Sequence, residues 1–76
     1  MENFIKANQV LNNVIKNNVT ESIKTSNNVW YIYKEDGMIS VDADRYYNSY
    51  AFVADDAGAL DTMNLVLDIL NNNFDN

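Results

Sequence analysis

The sequence predicts an α+β fold: a helix, a three- or four-stranded antiparallel β-meander and a closing helix, with both helices on one face of the sheet. Three observations predict it. Apolar residues recur at helical spacing near both ends of the chain. Between them, the aromatic and β-branched run from Val29 to Lys34 is followed by a second run from Met38, with Asp36-Gly37 at the reversal. All connections are short, so neighbouring segments pack as sequential neighbours. A chain of 76 residues has material for a single domain spanning 1–76.

The first helix follows from Phe4, Ala7, Leu11, Val14 and Ile15, which share one face at about 100° per residue, with Val10 at the flank. Asn17-Asn18 is its expected stop, because asparagine tolerates the left-handed conformation that closes a helix. Val19, Glu21 and Ile23 then alternate with Thr20, Ser22 and Lys24, which is strand periodicity. Thr25 to Asn28 reads as a turn. Val29 to Lys34 is the strongest strand in the chain, and either the Tyr31–Tyr33 pair or the Trp30–Ile32 pair of its alternating residues faces the core. Gly37 supplies the positive φ that the reversal demands, and Met38 to Ala43 returns as the partner strand. Tyr46 to Ser49 reads as a loop or bulge, and Tyr50 to Ala54 as the last strand. Asp55-Asp56 is the expected N-cap of a helix from about Ala57 to Leu70. Leu60, Met63, Val66, Leu67 and Leu70 form its expected inner stripe. Leu65 and Ile69 lie apart from that stripe, and two roles stay open for them: burial against the first helix, or an exposed seam for a second copy. Phe74 extends the stripe if a further turn forms, while residues 71–76 are otherwise expected to fray.

Composition narrows the chemistry. The chain has no Cys, no His and no Pro. Disulfides, thiolate nucleophiles, zinc fingers and Ser-His-Asp triads therefore cannot be written. With Gly37 and Gly58 as the only glycines, no phosphate-cradling glycine loop exists either. Asp42-Ala43-Asp44 fails as a calcium loop, since Tyr47 stands where glycine is needed and Val53 where an acid is needed. Asp55-Asp56 is explained as a cap without a Mg²⁺ ion, and Asn18-Val19-Thr20 matches the glycosylation sequon with nothing else pointing to secretion. No metal, cofactor or catalytic residue is expected, and the reading is of a protein that is not an enzyme. Among the fourteen asparagines, the runs Asn12-Asn13, Asn17-Asn18, Asn27-Asn28 and Asn71-Asn72-Asn73 fall at expected element ends or solvent positions.

Charge is the informative signal. The net charge is −6, but residues 1–34 carry +2, from four lysines against Glu2 and Glu21, whereas residues 35–76 carry −8, from nine acids against Arg45. Such a surface repels phosphates, so neither nucleic acid nor an anionic membrane is an expected partner. It suits a basic groove on another protein. The residues expected to meet that partner are Glu35, Asp36, Asp42, Asp44, Asp55, Asp56 and Asp61. Tyr46 and Tyr47 are the expected amphipathic anchors among the five tyrosines.

An Asn-rich, Pro-free, acidic chain with a helix, an Asp36-Gly37 hairpin and a terminal helix resembles the small inhibitors that bacteriophages encode against host defence, the anti-CRISPR and anti-restriction proteins that mimic DNA. The resemblance spans the chain through size, acidity and element order. It implies stoichiometric blocking of a nuclease or other nucleic-acid-binding protein in the bacterial cytoplasm. Met1-Glu2-Asn3-Phe4, which lacks the basic start and apolar block of a secretory signal, agrees with that location. The competing expectation is a small structural or regulatory homodimer with a solvated acidic surface, joined through Leu65, Ile69 and free strand edges.

Overall fold

The computed structural model describes residues 2–44, 46–53 and 60–74, with 46–53 and residue 60 described by backbone alone. The order of elements is α1 (Glu2–Asn17), β1 (Glu21–Lys24), β2 (Val29–Glu35), β3 (Met38–Ala43), β4 (Tyr46–Val53) and α2 (Leu60–Leu70). The four strands form one antiparallel sheet in the order β1-β2-β3-β4. The fold class is the expected α+β, and the meander has four strands.

Register follows from turn chemistry. Asp36 and Gly37 both take positive φ, 54° and 78°, and Glu35 pairs with Met38. This is the two-residue hairpin whose twist matches that of its strands. β2 and β3 are thereby locked with Ile32 opposite Val41 and Tyr31 opposite Asp42. β4 reaches back to Tyr46, further than the expected strand from Tyr50. Its pairing is broken by a bulge: Val41 opposes Tyr50 and Ala43 opposes Tyr46, so Tyr47, Asn48 and Ser49 stand against Asp42 alone.

One core unites the elements. α1 contributes Ala7, Val10, Leu11 and Val14, the sheet Ile23, Trp30, Ile32, Ile39 and Val41, and α2 Leu65, Val66 and Ile69. The sheet residues alternate with outward ones, as period two requires. Trp30 and Ile32 are thus the inward pair, and Tyr31 and Tyr33 point away. The Phe74 ring lies 5.3 Å from that of Trp30, tilted by 45°, within the range of favourable aromatic pairing.

Two helical faces differ from expectation. Phe4 is 47% exposed while Val10 is buried, because the inner stripe of α1 is centred on Ala7, Val10, Leu11 and Val14 and Phe4 lies about 70° from that centre. On α2 the buried stripe is Thr62, Leu65, Val66 and Ile69, while Met63, Leu67 and Leu70 pack against the core half-buried. Leu65 and Ile69 are 8% and 0% exposed and do not form an exposed seam. α2 is apolar on two adjoining sides, and a threonine at the head of the stripe conceals which side turns inward.

The helix ends are closed by asparagine. Asn18 takes φ of 52° directly after α1. After α2, Asn72 takes φ of 64°; its amide donates to the Ile69 carbonyl at 3.0 Å and that of Asn73 to the Asp68 carbonyl at 3.0 Å, the double closure of a Schellman motif. Asn71 to Phe74 follow α2 as a hydrogen-bonded turn. The Asn72 side chain also donates to Ser26 Oγ at 3.0 Å, and Asn3 donates to Asn71 Oδ1 at 2.6 Å, so the end of α2 clasps the β1–β2 loop and the start of α1. We expect Asn72→Ala to cost about 1–2 kcal/mol through left-handed strain and the lost bridge. Asn72→Gly should cost less, since glycine keeps the conformation. Urea midpoints of the two variants check the order.

At the other end of α1, Lys34 occupies an inward register position opposite Ile39. Its Nζ donates to the Ile15 carbonyl at 3.1 Å. The aliphatic stem covers core surface while the ammonium satisfies a helix C-terminal acceptor.

Candidate functional site

The outward side of the hairpin is where sequence chemistry and open surface coincide. Alternation places Tyr31, Tyr33 and Glu35 of β2 beside Ser40 and Asp42 of β3, and Ser22 of β1 opposite Tyr31. Tyr31 is 36% exposed, Ser22 and Glu35 are exposed, and Tyr33, Ser40 and Asp42 are half-buried. The Tyr33 hydroxyl donates to Asp42 Oδ2 at 2.6 Å, a diagonal cross-strand contact that a long aromatic side chain can span. It is a charge-assisted bond, and it fixes the direction in which Asp42 presents its second oxygen.

That bond raises the Tyr33 pKa above the ordinary 10.0, with desolvation and the charges of Asp42 and Glu35 adding to it and the Ser40 hydroxyl opposing it. A phenol held protonated by the fold contributes stability that is complete below pH 10.0 and is lost as pH rises through the folded value. Ultraviolet phenolate titration should therefore show a late step above the ordinary tyrosine value. Tyr33→Phe removes that late step, and Asp42→Asn returns it towards the ordinary range.

The expected acids are only partly gathered. Glu35 and Asp36 are exposed at the hairpin tip, and Asp42 lies on the same outward side. β4 ends at Val53 opposite Met38, so the chain leaves the sheet at the tip end. α2 then runs back to its clasp on Ser26, which places the exposed Asp61, in its first turn, towards that end. Asp44 does not join them. Its backbone amide donates to the Val29 carbonyl at 3.2 Å, and it lines a groove of about 210 Å³ with Lys24 and the β1–β2 loop. The length of β3, about 20 Å at 3.3 Å per residue, separates it from the tip. Asp68, half-buried, accepts from Asn73 Nδ2 at 3.0 Å and belongs to the helix closure. Among the described residues no three acidic side chains converge where an ion could be held.

Tyr46 and Tyr47 take their places in the backbone of β4, the second inside the bulge opposite Asp42, and their side chains lie outside what is described. Asp55 and Asp56, with the expected cap and the first positions of the expected helix at 57–59, lie outside the described residues. The tyrosines seen on the outward side are Tyr31 and Tyr33. The signal that finds them is the Asp36-Gly37 turn: a two-residue loop fixes the register, and the register sets Tyr31 against Asp42.

Among the described residues no helix is long and apolar enough to cross a membrane. No protein-family model matches the chain, and no match is found among curated proteins or solved structures.

Proposed function

We propose that the protein is a non-enzymatic acidic inhibitor from a phage or mobile element, acting in the bacterial cytoplasm on a host defence protein such as a CRISPR or restriction nuclease. It blocks the basic groove with which that protein holds nucleic acid. The observation that carries this reading is the open outward side of the β2–β3 hairpin, where Tyr31, Tyr33 and Asp42 lead to Glu35 and Asp36 at the tip. A groove built for DNA focuses positive potential, which steers an acidic surface into it and rewards complementary charge. Tyrosines add apolar area and a hydrogen-bonding tip at little entropic cost. A homodimer joined through Leu65 and Ile69 loses that surface, since both residues belong to the core.

The test is displacement of a fluorescent DNA duplex from a panel of purified CRISPR and restriction nucleases. We expect displacement from at least one nuclease, falling steeply with ionic strength. The triple variant Glu35→Gln, Asp36→Asn, Asp42→Asn should require at least about tenfold more protein, whereas Glu2→Gln, exposed at the start of α1 and away from the sheet face, should act like the parent. Failure across the panel, or displacement indifferent to salt and to the triple variant, overturns the reading.

A further inference from the structure

We propose that the Tyr31–Asp42 pair on the open sheet face is a reading site for an arginine side chain of the partner protein. The inference rests on the proposed function and names the chemistry by which that face recognises its partner.

Three features select arginine. Tyr31 and Asp42 stand directly opposite in the β2–β3 register, so their Cβ atoms lie about 4.5–5.5 Å apart on one face. A planar guanidinium stacked on the phenol ring lies within reach of the carboxylate beside it, which combines cation–π attraction with a charge-assisted hydrogen bond. Tyr33 occupies Asp42 Oδ2 at 2.6 Å, so Oδ1 is the oxygen turned to an incoming donor, and Tyr33 acts as a positioning residue. On its other side Tyr31 is flanked by Ser22, which is exposed and small, and this leaves room beside the ring. An ammonium is a compact, strongly hydrated charge that neither stacks nor bonds in a plane. The site should therefore prefer arginine to lysine, whereas the acids at the hairpin tip respond to charge of either kind.

The experiment titrates the isotopically labelled protein with hexa-arginine and, separately, hexalysine at one ionic strength, followed by NMR amide shifts. We expect hexa-arginine to bind several-fold more tightly, with shifts centred on Tyr31 and Asp42. Tyr31→Ala and Asp42→Asn should each cut hexa-arginine affinity about three- to fivefold, the scale of one exposed cation–π or charged contact, and bring the two peptides to parity. Tyr33→Phe, which keeps the ring and the fold, should reduce the arginine preference in part and leave hexalysine binding unchanged. Equal affinity of the parent for both peptides, or shifts confined to Glu35, Asp36 and their neighbours, overturns the inference while leaving the electrostatic reading of the hairpin intact. Nuclease displacement that survives Asp42→Asn and Tyr31→Ala at full strength also overturns it. The absence of any displacement by the parent overturns the proposed function instead.

Discussion

Trp30→Ala is expected to lower the stability of the protein by about half or more. Trp30 is 0% exposed and heads the fully buried side chains by volume. It stands between Ile23 on β1 and Ala43 on β3 in the sheet register, with the Phe74 ring packed 5.3 Å away. Truncating a buried aromatic to alanine costs about 3–5 kcal/mol, partly through lost transfer energy and partly through the cavity that remains. A domain of 76 residues holds about 4–11 kcal/mol in total at the usual stability per residue, so the loss takes about half of a mid-range stability and nearly all of one at the low end. Phe74 would then have its ring against a void, and the clasp formed by Asn71 and Asn72 would lose the apolar contact beside it. Far-ultraviolet circular dichroism across a urea series measures this: the midpoint of the variant should fall to about half that of the parent or below. A folded variant with a midpoint close to that of the parent would mean that Trp30 is not central to the core.

Ile69→Asn is the second large effect, and it separates the two roles left open for this residue by the sequence. Ile69 is 0% exposed and shares its stripe with Leu65 and Val66. An amide there loses the burial of a large aliphatic group and brings polar atoms into a site lined by hydrocarbon. The two terms together reach about 4 kcal/mol or more. We expect loss of the fold itself, read as loss of helical signal at every protein concentration. A seam residue would behave differently: the variant would keep its circular dichroism and change only its sedimentation. Leu65→Ala, which introduces no polar group, should destabilise by about 2–4 kcal/mol in the same sense.

Much of the fold was legible because local chemistry and tertiary packing agree. Asp36-Gly37 is a strong short-range hairpin signal, and the strand from Met38 to Ala43 follows it with the expected limits. Asn18, expected to close α1, does so with positive φ. What escaped the reading has identifiable causes. α2 carries apolar residues on two adjoining sides, so periodicity alone could not choose between the Leu60–Leu70 stripe and the Thr62–Ile69 stripe. At Tyr46 to Ser49 the expected bulge is present, but the strand continues through it to Tyr46, an extent hidden in the sequence because polar and aromatic residues there interrupt the pairing pattern. The roles of Asn71 and Asn72 depend on Asn3 and Ser26, which are distant in sequence. For the candidate site, density of acids along the chain stood in for proximity in space. That holds for Glu35 and Asp36 at the tip; Asp42 shares their side from further along β3, and Asp44, opposite Val29, lies a strand length from the tip and beyond Asp42. Tyr31 and Tyr33 could have been placed from the turn, because a two-residue loop dictates which residues face each other.

The open side of the β2–β3 hairpin is the surface we propose to meet the partner. The chain lacks cysteine, so single cysteines introduced as Ser22→Cys on that face, Gln9→Cys on exposed α1 and Asn27→Cys on the far loop report accessibility one position at a time. The measurement is the rate of maleimide alkylation with and without a nuclease whose DNA the protein displaces. Strong protection of the first variant and unchanged rates for the other two are expected on this proposal. Protection at Gln9 or Asn27, with Ser22→Cys still alkylated at its free rate, would contradict it.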